Sequence, residues 1–115
     1  MQYMLLIYGS DAKRAAASKS DVDKMMSAYG AYTEALKKAG VHKAGDPLES
    51  SASATTVRMA NGKTEVLNGP YAETREQLGG YYIIDVPDLD NAISWASRCP
   101  GASFGTMEVR AIQAM

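Results

Sequence analysis

The residue best suited to proton transfer in this chain is His42, its one histidine. Histidine is the side-chain type that gains and loses a proton near neutral pH, so it often serves as a general base. On a strand, alternate residues share a face, which places His42 with Ala44, Asp46 and Leu48. Asp46 lies about 13 Å away along an ideal strand, so a hydrogen bond between the two needs a bend at Gly45. His42 and Asp46 are therefore candidate catalytic residues, beside the alternative of a histidine that is packed or exposed without a catalytic role.

A second group of polar side chains surrounds a turn, Asn68-Gly69-Pro70-Tyr71, which is followed by Glu73, Arg75 and Glu76. Pro70 favours a helix start, so we predict a short helix over residues 72–78 that ends at Gly79-Gly80. The free N–H groups of such a helix attract an anion, and Arg75 can pair with a carboxylate through two hydrogen bonds. Asn68, Tyr71 and Arg75 are therefore candidate ligand-binding residues, although a solvated helical turn would show the same charges.

Tyrosine is unusually frequent, with seven tyrosines against one phenylalanine. A buried phenol needs a hydrogen-bond partner, so several tyrosines in one cleft can orient a small polar ligand. The candidates for such a cleft are Tyr8, Tyr29, Tyr71 and Tyr82. Tyrosine is equally suited to a protein–protein interface, and both interpretations stay open.

Composition argues against several classes of protein. Twelve Lys and Arg against thirteen Asp and Glu give a net charge of -1, which argues against nucleic acid as the main ligand. The single cysteine, Cys99, excludes an intramolecular disulfide, and one histidine without a cysteine cluster argues against a structural zinc site. We expect no metal or cofactor, since no glycine motif matches a phosphate-binding fingerprint. No segment approaches the ~20 apolar residues of a membrane span, and Met1–Tyr8 lacks the basic start of a secretory signal, so we expect a cytoplasmic protein without a membrane partner.

Two main helices are predicted in a chain of 115 residues, a length that suits one domain over residues 1–115. Apolar spacing and a capping box predict a first helix with Ser20 as its N-cap, and Gly40 ends it. Asp88 caps the second helix, which ends before Pro100. This helix is predicted to direct four apolar side chains to the core: Leu89, Ala92, Ile93 and Ala96.

Six strands accompany these helices, and the sequence Asn61-Gly62 predicts a hairpin turn between two of them. The predicted strands cover residues 2–8, 41–48, 54–59, 63–67, 81–86 and 106–112. Their order predicts an α+β fold with a mostly antiparallel sheet and both main helices on one face. The first and fifth strands are apolar on both faces, and the chain has no further element to cover the second face. We therefore expect a second copy to cover it, which predicts a homodimer.

Much of the chain resembles the DGPF-domain proteins, a branch of the YCII-related family. The longest matching run is residues 62–82, GKTEVLNGPYAETREQLGGYY. Shorter matches are Tyr3–Gly9, Asp88-Leu89-Asp90 and Trp95–Pro100. The resemblance implies a ferredoxin-like fold, paired into a dimeric α/β barrel with a cleft between sheet and helices. Members are often encoded beside extracytoplasmic-function sigma factors, so the resemblance also implies a possible association with a sigma-factor system.

Two positions depart from the pattern of the family. In the signature tetrapeptide Asn68 stands in place of Asp, and Tyr71 in place of Phe. An amide at Asn68 serves a turn as well as a carboxylate does, but it carries no proton chemistry. The YCII-type relatives are thought to use a His/Asp pair with the histidine on the first helix, where an ungapped count from Gly40 finds Tyr29.

These observations predict a small dimeric protein of an uncharacterised kind that binds a small polar ligand in a cleft between sheet and helices. A regulatory role is compatible with such binding. The alternative is a cofactor-independent small-molecule enzyme that uses acid–base chemistry in the same cleft.

Overall fold

The computed structural model describes residues 1–115. The chain forms six strands, namely β1 (Gln2–Gly9), β2 (His42–Pro47), β3 (Thr55–Ala60), β4 (Lys63–Asn68), β5 (Gln77–Asp85) and β6 (Thr106–Ala111). It also forms four α-helices, namely α1 (Asp11–Ala16), α2 (Lys19–Lys38), α3 (Leu89–Arg98) and α4 (Gly101–Phe104). A 3₁₀ turn, Ser51–Ser53, follows β2. None of the helices is both long and apolar enough to cross a membrane.

Four of the strands form one antiparallel sheet in the order β2-β5-β1-β6. At its centre Leu5 of β1 pairs with Tyr82 of β5 on one side and with Val109 of β6 on the other. The remaining strands, β3 and β4, form a separate two-stranded sheet. Helices and an antiparallel sheet in one chain confirm the predicted α+β class.

Both long helices cover the same face of this sheet. Leu5 of β1, Leu36 of α2 and Ile84 of β5 are fully buried there. The Tyr32 hydroxyl of α2 donates a hydrogen bond to the Trp95 carbonyl oxygen of α3 at 2.7 Å, which joins the two helices. The rest of the buried core consists of Tyr3, Tyr32, Tyr82, Val86, Ala92, Ala96 and Cys99.

The opposite face of the sheet is covered by neither long helix. Met4 and Leu6 alternate along β1 with buried Leu5, and Ile83 alternates along β5 with buried Ile84, so all three project to this opposite face. Each of the three is only partly buried. The two-sided apolar pattern of these strands therefore leaves apolar surface on a face that the chain itself does not enclose.

Helix termini agree with the sequence at most positions. Asp88 caps α3 and accepts a hydrogen bond from the Asn91 amide at 2.9 Å. Gly40, which follows α2, has a φ of 74°, a conformation that favours glycine. The predicted N-cap of α2 is wrong by two residues, because Ser18 and not Ser20 accepts the hydrogen bond from the Asp21 amide. The short helix α1, capped by Ser10, was not predicted, since it has no buried residue and hence no apolar periodicity.

The predicted orientation of α3 is half correct. Ala92 and Ala96 are buried, as expected, but Leu89 is 50% exposed and Ile93 49% exposed. Ile93 lines an open groove beside Met107 of β6, an edge strand of the sheet. Because the sheet ends at β6, this side of the helix has nothing further to pack against.

The predicted helix over residues 72–78 is wrong. Strand β5 already begins at Gln77, so Gly79 and Gly80 lie within a strand and end no helix. The β1–β5 pairing skips Gly79, which forms a bulge opposite Ile7 and Tyr8. A Cβ at Gly80 would lie 3.1 Å from the Asp46 carbonyl oxygen. Close approach of two backbones is therefore the reason for glycine at this position.

The hairpin prediction is confirmed. Asn61 (φ 52°) and Gly62 (φ 76°) both have positive φ angles, as a two-residue hairpin turn of type I′ requires.

Candidate functional site

The polar turn of residues 68–71 borders a cleft of about 290 Å³. Pro70 of this turn lies on one wall. The loop after β2 supplies Ser50 and Ser51, and the start of β5 supplies Gln77. The other lining residues are Leu48, Glu49, Ser53, Ala54 and Leu78. Two stretches that are distant in sequence, residues 48–54 and 70–78, therefore meet at one cleft, and its volume is at the lower end of the range for small-molecule sites.

Asp11, at the start of α1, holds the serine loop of this cleft in place. Its Oδ2 atom accepts hydrogen bonds from the Ser51 amide at 3.0 Å, the Ser51 hydroxyl at 2.5 Å and the Ser50 hydroxyl at 3.4 Å. Its own amide donates to the Gln77 side-chain oxygen at 2.9 Å. The Ser51 hydroxyl bond stabilises the ionised carboxylate and so lowers the pKa of Asp11.

These bonds decide what the serine side chains can offer a ligand. The hydroxyl protons of Ser50 and Ser51 are both donated to Asp11. A hydroxyl oxygen has two lone pairs with which it can accept after donating its proton. The Ser50 oxygen uses one of them to accept from the Ala52 amide at 3.2 Å, so it has one acceptor position left and Ser51 has more. Glu49, on the same lining, is also an acceptor when ionised. The cleft is therefore suited to a ligand that carries O–H or N–H donors.

Arg14, one helical turn after Asp11, lies next to the same region. Its Nη2 atom donates to the Leu48 carbonyl oxygen at 2.9 Å. A Cβ at Gly79 would lie 3.4 Å from Arg14 Nη1, so the glycine leaves room for the guanidinium group. Burial raises the pKa of Tyr29, and the Arg14 charge opposes part of that rise. Tyr29 thus stays protonated at neutral pH and can act as a hydrogen-bond donor near a cation.

The tyrosine candidates do not form one wall within a single chain. Tyr82 is buried on the helix face, and its hydroxyl lies 2.7 Å from the Thr33 hydroxyl. Burial raises the pKa of Tyr82. Tyr8 alternates with Ile7 and so projects to the opposite face of the sheet. Tyr71, in the turn, is 81% exposed.

The other turn candidates are also exposed. Asn68, the last residue of β4, and Arg75 both lie at the surface, and Arg75 makes no ion pair. The anion site expected at a helix start has no structural basis, because the helix over residues 72–78 does not form. Pro70 lines the cleft in place of the charged side chains that follow it.

His42 and Asp46 project to opposite faces of the sheet. The His42 ring packs edge to face against the Tyr82 ring on the helix side, with their centroids 6.3 Å apart. Asp46 instead accepts a hydrogen bond at 2.7 Å from the hydroxyl of Tyr81, its partner on β5. A register shift between His42 and Ala44 breaks the simple alternation, so the expected shared face is wrong. The structure does not bring these two candidates together.

The sequence analysis missed Asp11, Arg14 and Ser51. They lie in stretches without apolar periodicity, where the available signals were the Ser10 cap and a run of serines after β2. Nowhere in the structure do three His, Cys, Asp or Glu side chains come together as metal ligands would.

Comparison with known proteins assigns the chain to a family. The model of the YCII-related domain matches residues 1–115. The chain belongs to the YCII-related family. This YCII-related chain is also similar to the uncharacterized protein R00369 of Rhizobium meliloti (strain 1021). The two are 36% identical over 112 residues, which cover 96% of this chain and 90% of that protein.

This member of the YCII-related family differs from the catalytic pattern that the resemblance implied. Its one histidine is His42 on β2, and α2 carries Tyr29 near the position of the expected histidine. A phenol with a raised pKa donates a hydrogen bond but does not exchange protons near neutral pH. At this position the chain therefore offers a hydrogen-bond donor and not a general base.

Proposed function

We propose that this YCII-related protein binds a small polar molecule with O–H or N–H donors in the cleft between the serine loop and the polar turn. The observation that carries the proposal is the Asp11 carboxylate, which orients Ser50 and Ser51 so that their oxygen atoms are left as acceptors. Leu48, Ala54 and Leu78 supply the apolar part of the lining. Such a mixture of apolar surface and a few placed polar groups is typical of ligand sites.

The quaternary part of the proposal is a ferredoxin-like fold of the DGPF type that pairs through the uncovered sheet face into a dimeric barrel. A compact 12.3 kDa monomer exposes about 6,100 Å². This chain exposes 8070 Å². If each of two chains lost an excess of about 2,000 Å², the pair would bury about 4,000 Å² in total, which is in the range of obligate dimers. The resemblance to the DGPF-domain proteins also supports a regulatory role, in which the bound ligand would control a cytoplasmic sigma-factor system.

A matched pair of variants tests the ligand site. Ala54→Leu adds three carbon atoms to the cleft lining, whereas Ala52→Leu adds them to an exposed residue of the same loop. We expect protein purified gently from its own host to carry extra mass in native mass spectrometry, or to show a saturable thermal shift with a member of a panel of small polar metabolites. Ala54→Leu should weaken that binding about tenfold or more, and Ala52→Leu should leave it unchanged.

Two results would contradict the ligand site. One is a protein without bound mass that shows no thermal shift across the panel. The other is equal binding by both variants, which would place the ligand elsewhere.

A further inference from the structure

The hairpin of β3 and β4, residues 55–68, is attached to the rest of the protein at one end only. We call it the arm. Its strands pair with each other and with no strand of the main sheet. Two hydrogen bonds close its base by joining its own ends: the Gly69 amide donates to the Ala54 carbonyl oxygen at 2.7 Å, and the Thr56 hydroxyl donates to the Gly69 carbonyl oxygen at 2.8 Å. An isolated two-stranded hairpin is marginally stable in water, so the arm is an element that needs a partner surface.

The two faces of the arm differ in chemistry. Val57 pairs directly with Val66, and Met59 pairs with Thr64 on the same face. Val57, Met59 and Val66 are 61%, 66% and 61% exposed. The other face pairs Arg58 with Glu65 and Ala60 with Lys63, and Leu67 lies on it near the base of the arm. One face is therefore uncharged with three exposed apolar side chains, and the other carries the charges of the arm.

The shape of the chain shows that the arm extends away from a flat body. The molecule measures 48 × 43 × 19 Å, and its radius of gyration is 15.9 Å. A compact chain of this length has a radius of gyration of about 13 Å. A strand pair of six residues is about 20 Å long, enough to reach past the edge of one body onto another.

We propose that the arm packs its Val57–Met59–Val66 face against a second copy of this chain, so that the arm of each copy contacts the body of the other. This inference rests on the proposed dimer and extends it. The flat area of a four-stranded sheet of this length is only about 400 Å². The sheet face therefore accounts for less than half of the roughly 2,000 Å² of excess surface, and the arm is the other large apolar surface.

A second copy is the occupant that satisfies both uncovered surfaces at once. In a two-fold symmetric dimer every contact occurs twice, once from each copy. One arrangement of the two chains therefore covers both sheet faces and both arms. A foreign partner would need separate surfaces for the sheet face and for the arm. The lack of charge on the apolar face of the arm is typical of the interior of such an obligate interface.

The test compares the same substitution on the two faces of the arm. Val57→Gln places an amide on the apolar face, and Arg58→Gln places it on the polar face of the same strand. Sedimentation velocity over a dilution series measures the dimer dissociation constant. We expect Val57→Gln to raise this constant about tenfold or more, and Arg58→Gln to change it less than about threefold. Circular dichroism should show an unchanged fold for both, since neither side chain belongs to the core.

Further measurements separate the arm from the dimer itself. Leu6→Gln, on the uncovered sheet face, should weaken any dimer that uses that face. A dimer weakened by Leu6→Gln but not by Val57→Gln would overturn the arm contact and leave the dimer standing. A wild-type chain that stays monomeric at about 100 μM would overturn both, while ligand binding in the cleft is scored independently of either.

Trypsin gives a readout that needs no variant. The arm contains two trypsin sites, at Arg58 and Lys63. If the arm is held by a second copy, cleavage at these sites should slow about fivefold or more as the protein is concentrated from below to above the dimer dissociation constant. A cleavage rate that does not depend on protein concentration would contradict the proposal.

Discussion

The charge of Asp11 helps to hold the serine loop of the candidate site in place. Its carboxylate accepts three hydrogen bonds from the serine loop, and these bonds favour the ionised form. In the unfolded chain the same carboxyl group has no such partners. The folded state therefore binds a proton at Asp11 less readily than the unfolded state does, which makes the contribution of this residue dependent on pH.

The first prediction concerns this residue. Because the folded pKa of Asp11 is lowered, its stabilisation is fully present above the unfolded pKa near 4 and is lost as the pH falls through the folded value. Asp11→Asn should lower the free energy of unfolding by about 1 kcal/mol at pH 7. The difference from wild type should shrink below about pH 4. Thermal unfolding at several pH values measures this.

Asp23→Asn is the matched control, since Asp23 is exposed on α2. It should change the free energy of unfolding by less than about 0.5 kcal/mol at every pH. A cost of Asp11→Asn that stays constant down to pH 2 would show that the carboxylate charge is not the cause.

Among the elements, α2 was predicted correctly as a helix, but its first residue was predicted wrongly. The sequence contains two serines that suit an N-cap, Ser18 and Ser20. A capping box with Asp23 favours Ser20, yet the structure begins the helix at Lys19 with the Ser18 hydroxyl as the acceptor. The earlier start adds two residues, and so two hydrogen bonds, to the helix, which is the cooperative gain expected from elongation.

The second prediction distinguishes these two caps. Ser18→Ala should lower the free energy of unfolding by about 1 kcal/mol, because it removes the acceptor for the Asp21 amide. Ser20→Ala lies inside the helix and should change it by less than about 0.5 kcal/mol. Urea unfolding followed by circular dichroism measures both. The reverse order of the two costs would mean that the helix begins at Ser20 after all.

At the scale of the whole molecule, surface is the feature that stands out. Only 12 of 115 residues are buried, and the chain measures only 19 Å along its shortest axis. One face of its main sheet is covered by neither long helix. Layers of secondary structure are stable when each apolar face has a cover. Stability of this chain is therefore expected to depend on association, which is a property that no single element shows.

The third prediction follows from that dependence. If folding is coupled to pairing, the midpoint of thermal unfolding should rise by about 5 °C for a hundredfold increase in protein concentration. Differential scanning calorimetry between about 2 and 200 μM measures it. Leu6→Gln is the informative variant, because it should lower the midpoint most at low concentration. A midpoint that does not change with concentration would argue for a stable monomer.

Elements with a strong local signal could be predicted from the sequence alone. The hairpin at Asn61-Gly62, the Asp88 cap and the helix stop at Gly40 depend on backbone preferences of a few neighbouring residues, so they are visible in a short window. The two-sided apolar pattern of the central strands is likewise local. The order of the elements was enough to predict the α+β class, and the two-sided pattern was enough to predict an uncovered sheet face.

Only the tertiary structure decided which residues meet at the candidate site. A register shift near His42 puts it on the opposite face from Asp46, and a bulge at Gly79 extends β5 where a helix was predicted. Asp11 contacts Ser51 across 40 positions of sequence. Alternation and propensity are set by neighbours in the chain, whereas bulges and such long-range hydrogen bonds are set by the strands and loops that pack against them. The sequence therefore determined the elements that have a strong local signal, and the packing of distant segments determined the remaining elements and the cleft.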